Sequence, residues 1–255
     1  MEIKLVLMDK LPNGESIISR YEKYIRGMVK GFQDTRIQFN KLRNYDNRIE
    51  ISIDGPEKVF IKNLLRKEVG SIYEFKDIEL DMRLKGNLVD VGNVGFGLFV
   101  DCAILNPKVD VLVSLNTLRE QLCKGKEKSI KEIIKAYDFV NDFPVSVKII
   151  SIDRENGNLR GSLDLNTLDL YDKLIKENLE AVFLSGETKA QLKKVLEKTD
   201  HIRDIVSIKK YGFLENIIIL KDTTEAPGII SDIGKYFKNC KLSAIRPERI
   251  KKLYE

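Results

Sequence analysis

Phe96-Gly97-Leu98-Phe99-Val100-Asp101 lies in the middle of the chain, and its reading as a strand decides the fold. Gly97 has no side chain to obstruct either face, so a strand through it can coil tightly. Phe96 and Phe99 are three apart and would point to opposite faces of a regular strand. Working outward, five strands are expected over residues 82–91, 96–104, 109–114, 143–152 and 158–163. Glycines punctuate them at Gly86, Gly92, Gly95, Gly97, Gly157 and Gly161. Short strands with no helical crossover among the first three predict a small closed barrel of OB type.

The same segment resembles the ribosomal-protein S-one class of OB-fold RNA-binding domain, over about one third of the chain. Lys85-Gly86-Asn87-Leu88-Val89 is similar to its opening Gly-x-Val strand, and Phe96–Asp101 to its Phe-Gly-x-Phe-Val-Asp stretch. Val109–Leu115 sits where that class has Gly-Leu-Val-His-Ile-Ser. Val145–Asp153, Asn156-Gly157 and Leu159–Leu163 match its closing strands. The resemblance implies RNA as ligand, with Phe96 and Phe99 as the rings that stack on bases; either ring could instead fill the barrel. Two positions depart from the pattern: Val113 stands at the expected ligand-facing histidine, and Val111 at the expected glycine.

Phosphate binding is chiefly electrostatic, yet residues 81–165 carry as many acidic as basic groups. Positive charge must therefore come from local arrangement. Lys85 and Arg160 start the first strand and occupy the last, which a closed barrel brings together. A helical insertion is expected over 117–137, where Lys124, Lys128, Lys131 and Lys135 recur at helical spacing opposite Ile130, Ile133, Ile134 and Tyr137. Two readings of that lysine stripe stand, a solvated face or a row of phosphate contacts. Arg246, Arg249, Lys251 and Lys252 make another local cluster.

Both flanks read as ferredoxin-like units, with β-α-β-β-α-β order. In residues 1–80, Ile3, Leu5 and Leu7 alternate, Pro12-Asn13-Gly14 predicts a turn, and Ile17, Tyr21, Ile25 and Val29 form a helical face. Strands around Ile37–Leu42 and Ile49–Ile53 precede a helix expected to turn Val59, Phe60 and Leu64 inward. In residues 166–255 a leading helix is followed by strands at 181–184, 206–210, 216–220 and 242–245, with helices at 188–199 and around Ile229–Phe237. The fold class is thus α+β: domains 1–80, 81–165 and 166–255, a barrel between two ferredoxin-like units, a unit type that often exposes its sheet to RNA.

Composition narrows the chemistry. Of 255 residues, 33% are charged against about 25% in an average protein. No apolar run reaches the roughly 18 residues of a membrane span, and Met1–Leu5 shows no secretory signal. The three cysteines, Cys102, Cys123 and Cys240, form neither a disulfide framework nor a metal-ligand spacing, which suits a reducing cytoplasm. Four Gln and four Met beside 30 Ile and 31 Lys resemble a heat-adapted composition. No phosphate-binding loop is present, and Gly92–Gly97 has the wrong spacing for a dinucleotide loop. Asp101, Asp110 and Asp153 could hold a metal only by converging, and His201 reads as a surface or capping residue. Asp222–Ile230 loosely resembles the Asp-x-Pro-Gly helix entry of amino-acid-binding ACT domains, where a helix N-terminus receives a carboxylate.

These observations point to a cytoplasmic, non-enzymatic RNA-binding protein without cofactor or metal, acting within translation, transcription or RNA processing. The alternatives are a protein-interaction adaptor whose barrel has lost its ligand, and a small-molecule-sensing regulator using the Gly228 turn.

Overall fold

The computed structural model describes residues 2–12 and 14–255. Asn13, at the centre of the expected Pro12–Gly14 turn, lies outside the described residues. The chain divides into two compact units, Met1–Tyr73 and Glu74–Glu255. The barrel and the C-terminal α/β segment, separate domains in the sequence reading, both belong to the second.

In the first unit, β1 (Ile3–Lys10), α1 (Glu15–Met28), β2 (Arg36–Leu42), β3 (Arg48–Asp54) and α2 (Lys58–Glu68) follow one another. The antiparallel sheet has the order β1-β3-β2, and a single bridge from Ser71 to Leu7 marks where a further strand would lie. Alternation along the strands buries Leu5, Leu7, Ile51 and Ile53 on one face, and α1 buries Ile17, Tyr21 and Ile25. The inward face of α2 differs from the expected one. Ile61 and Leu65 are buried, whereas Val59 and Phe60 are 58% and 57% exposed. The helix carries two apolar rows one residue apart, 60/64 and 61/65, about 100° from each other. The sheet takes the Ile-Leu row, and Phe60 rests instead on Phe32, ring centroids 5.1 Å apart.

The second unit opens with the two-residue strand β4 (Tyr73–Glu74) and continues through β5 (Arg83–Val89), β6 (Gly97–Leu105) and β7 (Val109–Ser114). After α3 (Leu115–Leu122) and α4 (Ile130–Tyr137) come β8 (Pro144–Asp153) and β9 (Asn158–Leu163). Strands β5-β6-β7-β9-β8 close into a barrel through β5–β8 pairing; only the β7–β9 pair is parallel. That closed five-stranded order is an OB-type barrel. Leu84, Leu88, Leu98, Val100, Val111, Val113, Val147 and Leu159 fill it. Two glycines permit this curvature: a Cβ on Gly97 would lie 2.4 Å from the Val113 carbonyl oxygen, and one on Gly86 2.5 Å from Val100 Cγ1.

The insertion is not one helix. Between α3 and α4, Lys124 (φ 53°) and Gly125 (φ 79°) take left-handed backbone, which ends the first helix. Ser129 then starts the second with a capping box, its side chain accepting from the Glu132 N–H while the Glu132 carboxylate accepts from the Ser129 N–H.

The remaining elements are α5 (Leu165–Glu177), β10 (Ala181–Ser185), α6 (Lys189–Lys198), β11 (Ile205–Lys210), β12 (Glu215–Leu220), α7 (Ala226–Gly234), β13 (Lys241–Ile245) and α8 (Pro247–Lys251). The antiparallel sheet has the order β11-β12-β10-β13. One face carries α6 and α7 over Val182, Leu184, Ile218 and Leu220. The other face is also covered. Phe183 of β10 lies 4.7 Å from Phe143, which belongs to an aromatic cluster with Tyr137, Phe139 and Tyr171. The edge strand β13 is engaged as well: the Ala244 N–H donates to Asp138 Oδ2 at 2.5 Å and Ser243 Oγ to the Asp138 carbonyl at 2.6 Å. This sheet therefore has no open face for RNA, and the sequence expectation is corrected there.

Candidate nucleic-acid interface

The barrel's outer surface carries a continuous lateral row. Val89 of β5 stands opposite Phe99 of β6, Phe99 opposite Leu112 of β7, and Leu112 beside Arg160 of β9. Phe99 is half-buried and Arg160 exposed. Phe96 is 55% exposed and meets Phe99 edge-to-face, centroids 6.0 Å apart and planes at 89°. Neither ring fills the barrel. The opposite-face rule fails for this pair because Phe96 precedes the regular part of β6. Its carbonyl accepts from the Leu115 N–H at 2.8 Å, anchoring the loop beside the start of α3.

The residue expected at the ligand-facing histidine position, Val113, is fully buried inside the barrel. Leu112 is the residue that reaches the outer face. A one-residue shift along a strand exchanges inside for outside, and the sequence pattern alone gave no fixed point to set it.

Positive charge on this surface is sparse. Arg83 pairs with Asp164 at 3.4 Å and Lys148 with Asp81 at 2.6 Å. Arg154 donates to the carbonyls of Phe75, Lys76 and Ile78. Arg160 has no carboxylate partner among the described residues. Lys85 is exposed on the outer face of β5 opposite Ser146, but four residues, about 13 Å of strand, before Val89.

The lysine stripe of the insertion does not form. Lys124 lies outside both helices with its ammonium 4.3 Å from the centre of the Tyr254 ring. Lys128 sits in the connection, its carbonyl accepting from Arg119 Nε at 2.8 Å. Only Lys131 and Lys135 share a helix, one turn apart and exposed on α4. The signal that breaks the stripe, Gly125 followed by Ser129-x-x-Glu132, was present in the sequence.

Other candidate chemistry is occupied or dispersed. Among the described residues no three of His, Cys, Asp and Glu are placed to hold a metal ion. Asp101 accepts from the Ala103 N–H at 2.8 Å and Asp153 from the Asn156 N–H at 3.0 Å, each serving its own turn. Burial pushes the thiols of Cys102, Cys123 and Cys240 upward, away from thiolate chemistry. At the start of α7 the Ala226 N–H already donates to Glu180 Oε2 at 2.6 Å, and Glu180 also receives Arg246 Nε at 2.7 Å. An internal carboxylate thus occupies the position that the ACT-like reading reserved for a ligand.

His201 braces the turn at 201–204 against α7, with Nδ1 2.8 Å from Asp204 Oδ2 and Nε2 2.9 Å from Asp232 Oδ2. The hydrogen bond to Asp204, aided by that to Asp232, raises its pKa above 6.5 against the opposing effect of burial. A raised folded-state value contributes stability in full below the unfolded pKa and loses it as pH rises through the folded one. Stability from urea denaturation should therefore fall from mildly acidic to mildly alkaline pH by less than about 1 kcal/mol, since Asp204 and Asp232 are 40% and 59% exposed. In His201→Gln that portion of the pH dependence should vanish; an unchanged profile would rule the brace out.

A closed OB-type barrel with a solvent-facing aromatic pair is the class of protein that fold and site define. Residues 179–245, from just before β10 to the end of β13, match the DUF2110 C-terminal domain. Comparison with curated proteins gives no match. Among solved structures, the chain is similar to a small protein from vaccinia virus (Wisconsin strain), with 15% identity, a TM-score of 0.23, and coverage of 34% of this chain and 89% of that one. It is also similar to the intact alpha subunit of aIF2 from Pyrococcus abyssi, with 11% identity, a TM-score of 0.25, and coverage of 66% and 97%. No helix among the described residues is long and apolar enough to cross a membrane.

Proposed function

We propose that this chain is a non-enzymatic, cytoplasmic RNA-binding protein that holds single-stranded RNA on the outer face of its barrel, within an assembly of translation, transcription or RNA processing. The observation that carries the reading is the exposed Phe96 ring set edge-on to Phe99, in line with Arg160. Bases stack on such rings whatever their sequence, while Arg160 supplies a phosphate contact. The barrel is read as an S-one class domain on its strand positions, and the flanking units as ferredoxin-like on their strand orders. The ligand is recognised by stacking more than by charge.

That balance is measurable. Binding of a labelled oligouridylate should weaken with salt, because each phosphate contact on a single strand contributes about −0.7 to the logarithmic slope. Arg160→Ala should flatten the slope by about that one contact. A slope that Arg160→Ala leaves unchanged would refute the barrel-face reading.

One observation favours a second reading. Val89 and Leu112 flank Phe99 with apolar surface, and a protein partner would bury all three with little response to salt. A chain that binds no RNA at any salt concentration would leave this adaptor reading in place.

A further inference from the structure

The unit Met1–Tyr73 contains a groove of about 580 Å³ between the end of α1 and the edge strand β2. Its size falls within the roughly 300–1,000 Å³ of small-ligand sites. Arg26 from the last turn of α1, Lys30 from the turn that follows it and Arg36 from the start of β2 line it. All three are exposed, and none has a carboxylate partner among the described residues. Among the described residues that line the groove, Glu22 is the one carboxylate. Its apolar walls are the half-buried rings of Phe32 and Phe39. The Arg26 guanidinium stands over the Phe39 ring, 5.1 Å from its centre, and its fork of N–H donors suits a phosphate. Phe60, lying against Phe32, extends the aromatic surface beyond the rim.

Excess positive charge beside flat apolar rings is complementary to a nucleotide, whose phosphate and base present those two features together. A peptide strand is the less suited occupant. The free edge of β2 is interrupted by a bulge between Phe39 and Lys41 and carries that lysine, both of which discourage strand addition.

We infer that this groove is a nucleotide-binding site, with Arg26, Lys30 and Arg36 on the phosphate and the Phe32 and Phe39 rings against the base. The nucleotide arrives either free or as one unit of a single-stranded RNA. The site is separate from the barrel face and does not rest on the barrel's reading.

The test uses the full chain, with uridine monophosphate and a fluorescein-labelled oligouridylate as probes. Binding is measured by calorimetry and anisotropy, and folding is checked by circular dichroism. Arg26→Glu with Arg36→Glu should weaken the oligonucleotide about tenfold or more and flatten its salt slope. Phe39→Ala should weaken it by about fivefold or more with the slope unchanged. Both losses should persist in a Phe96→Ala/Phe99→Ala background, which separates this groove from the barrel. Competition by the monophosphate assigns a free nucleotide, and its failure to compete assigns an RNA strand. Folded groove variants that bind the oligonucleotide like the parent overturn the site, as does a parent that binds neither probe. Preference for an acidic peptide, lost in the same variants, overturns the nucleotide assignment.

Discussion

Phe143→Ala should lower the stability of the unit Glu74–Glu255 by about 3–5 kcal/mol, the usual range for truncating a buried phenylalanine. Phe143 is fully buried just before β8, and its ring lies 4.7 Å from Phe183, 5.7 Å from Phe139 and 6.2 Å from Tyr171. Those neighbours come from β10, from the end of the insertion and from α5, so one side chain touches three segments that join barrel to C-terminal sheet. The loss should appear in urea denaturation as a lower midpoint. A reduced slope would show that barrel and C-terminal sheet no longer unfold together. Tyr171→Phe is the control. The Tyr171 hydroxyl is buried with no hydrogen-bond partner among the described residues, so its removal should be neutral or stabilising by up to about 1 kcal/mol. If Phe143→Ala leaves the midpoint unmoved, the aromatic cluster does not join the two parts.

This brace shows where the sequence stops being legible. The barrel strands were expected at 82–91, 96–104, 109–114, 143–152 and 158–163, and β5 to β9 fall within two residues of each boundary. Period-two alternation and glycine spacing are local signals, so each strand announces itself. Tyr137, Phe139, Phe143, Tyr171 and Phe183 have no such common signal, because three-dimensional closure alone brings them together. The covering of the C-terminal sheet followed from that closure and went unforeseen.

Local signals also mislead where two of them compete. On α2 the 60/64 and 61/65 rows are both apolar, and only packing decides between them. In the insertion, lysine periodicity ran across Gly125 and Ser129, although the glycine and the capping box are the stronger physical terms there. At the candidate interface Phe96 meets Phe99, and Arg160 lies two strands along from Phe99 with Leu112 between them. The inward turn of Val113 and outward turn of Leu112 depend on strand register, which a motif match places only to within a residue. The groove beside Phe39 was not legible at all, since α1 and β2 bring its cations together from separate segments.

The largest functional effect should come from removing both rings of the barrel face. Phe96→Ala alone should cost about 1–3 kcal/mol in affinity for single-stranded RNA, the range for one base-stacking ring. Phe96 is over half exposed and fills no core, so the folded state should tolerate its loss. Phe99 is half-buried between Val89 and Leu112, so Phe99→Ala lowers stability as well as affinity. Its binding must be read below the onset of unfolding. In the double variant the affinity losses should fall short of additivity, because the rings touch edge-to-face and each helps to hold the other. The salt slope should stay that of the parent, because no cation has been removed. Anisotropy titrations at several salt concentrations give both quantities from one series. Parent-like affinity in the folded double variant would show that the rings are not the base platform, and the barrel would then be read as a surface for protein partners.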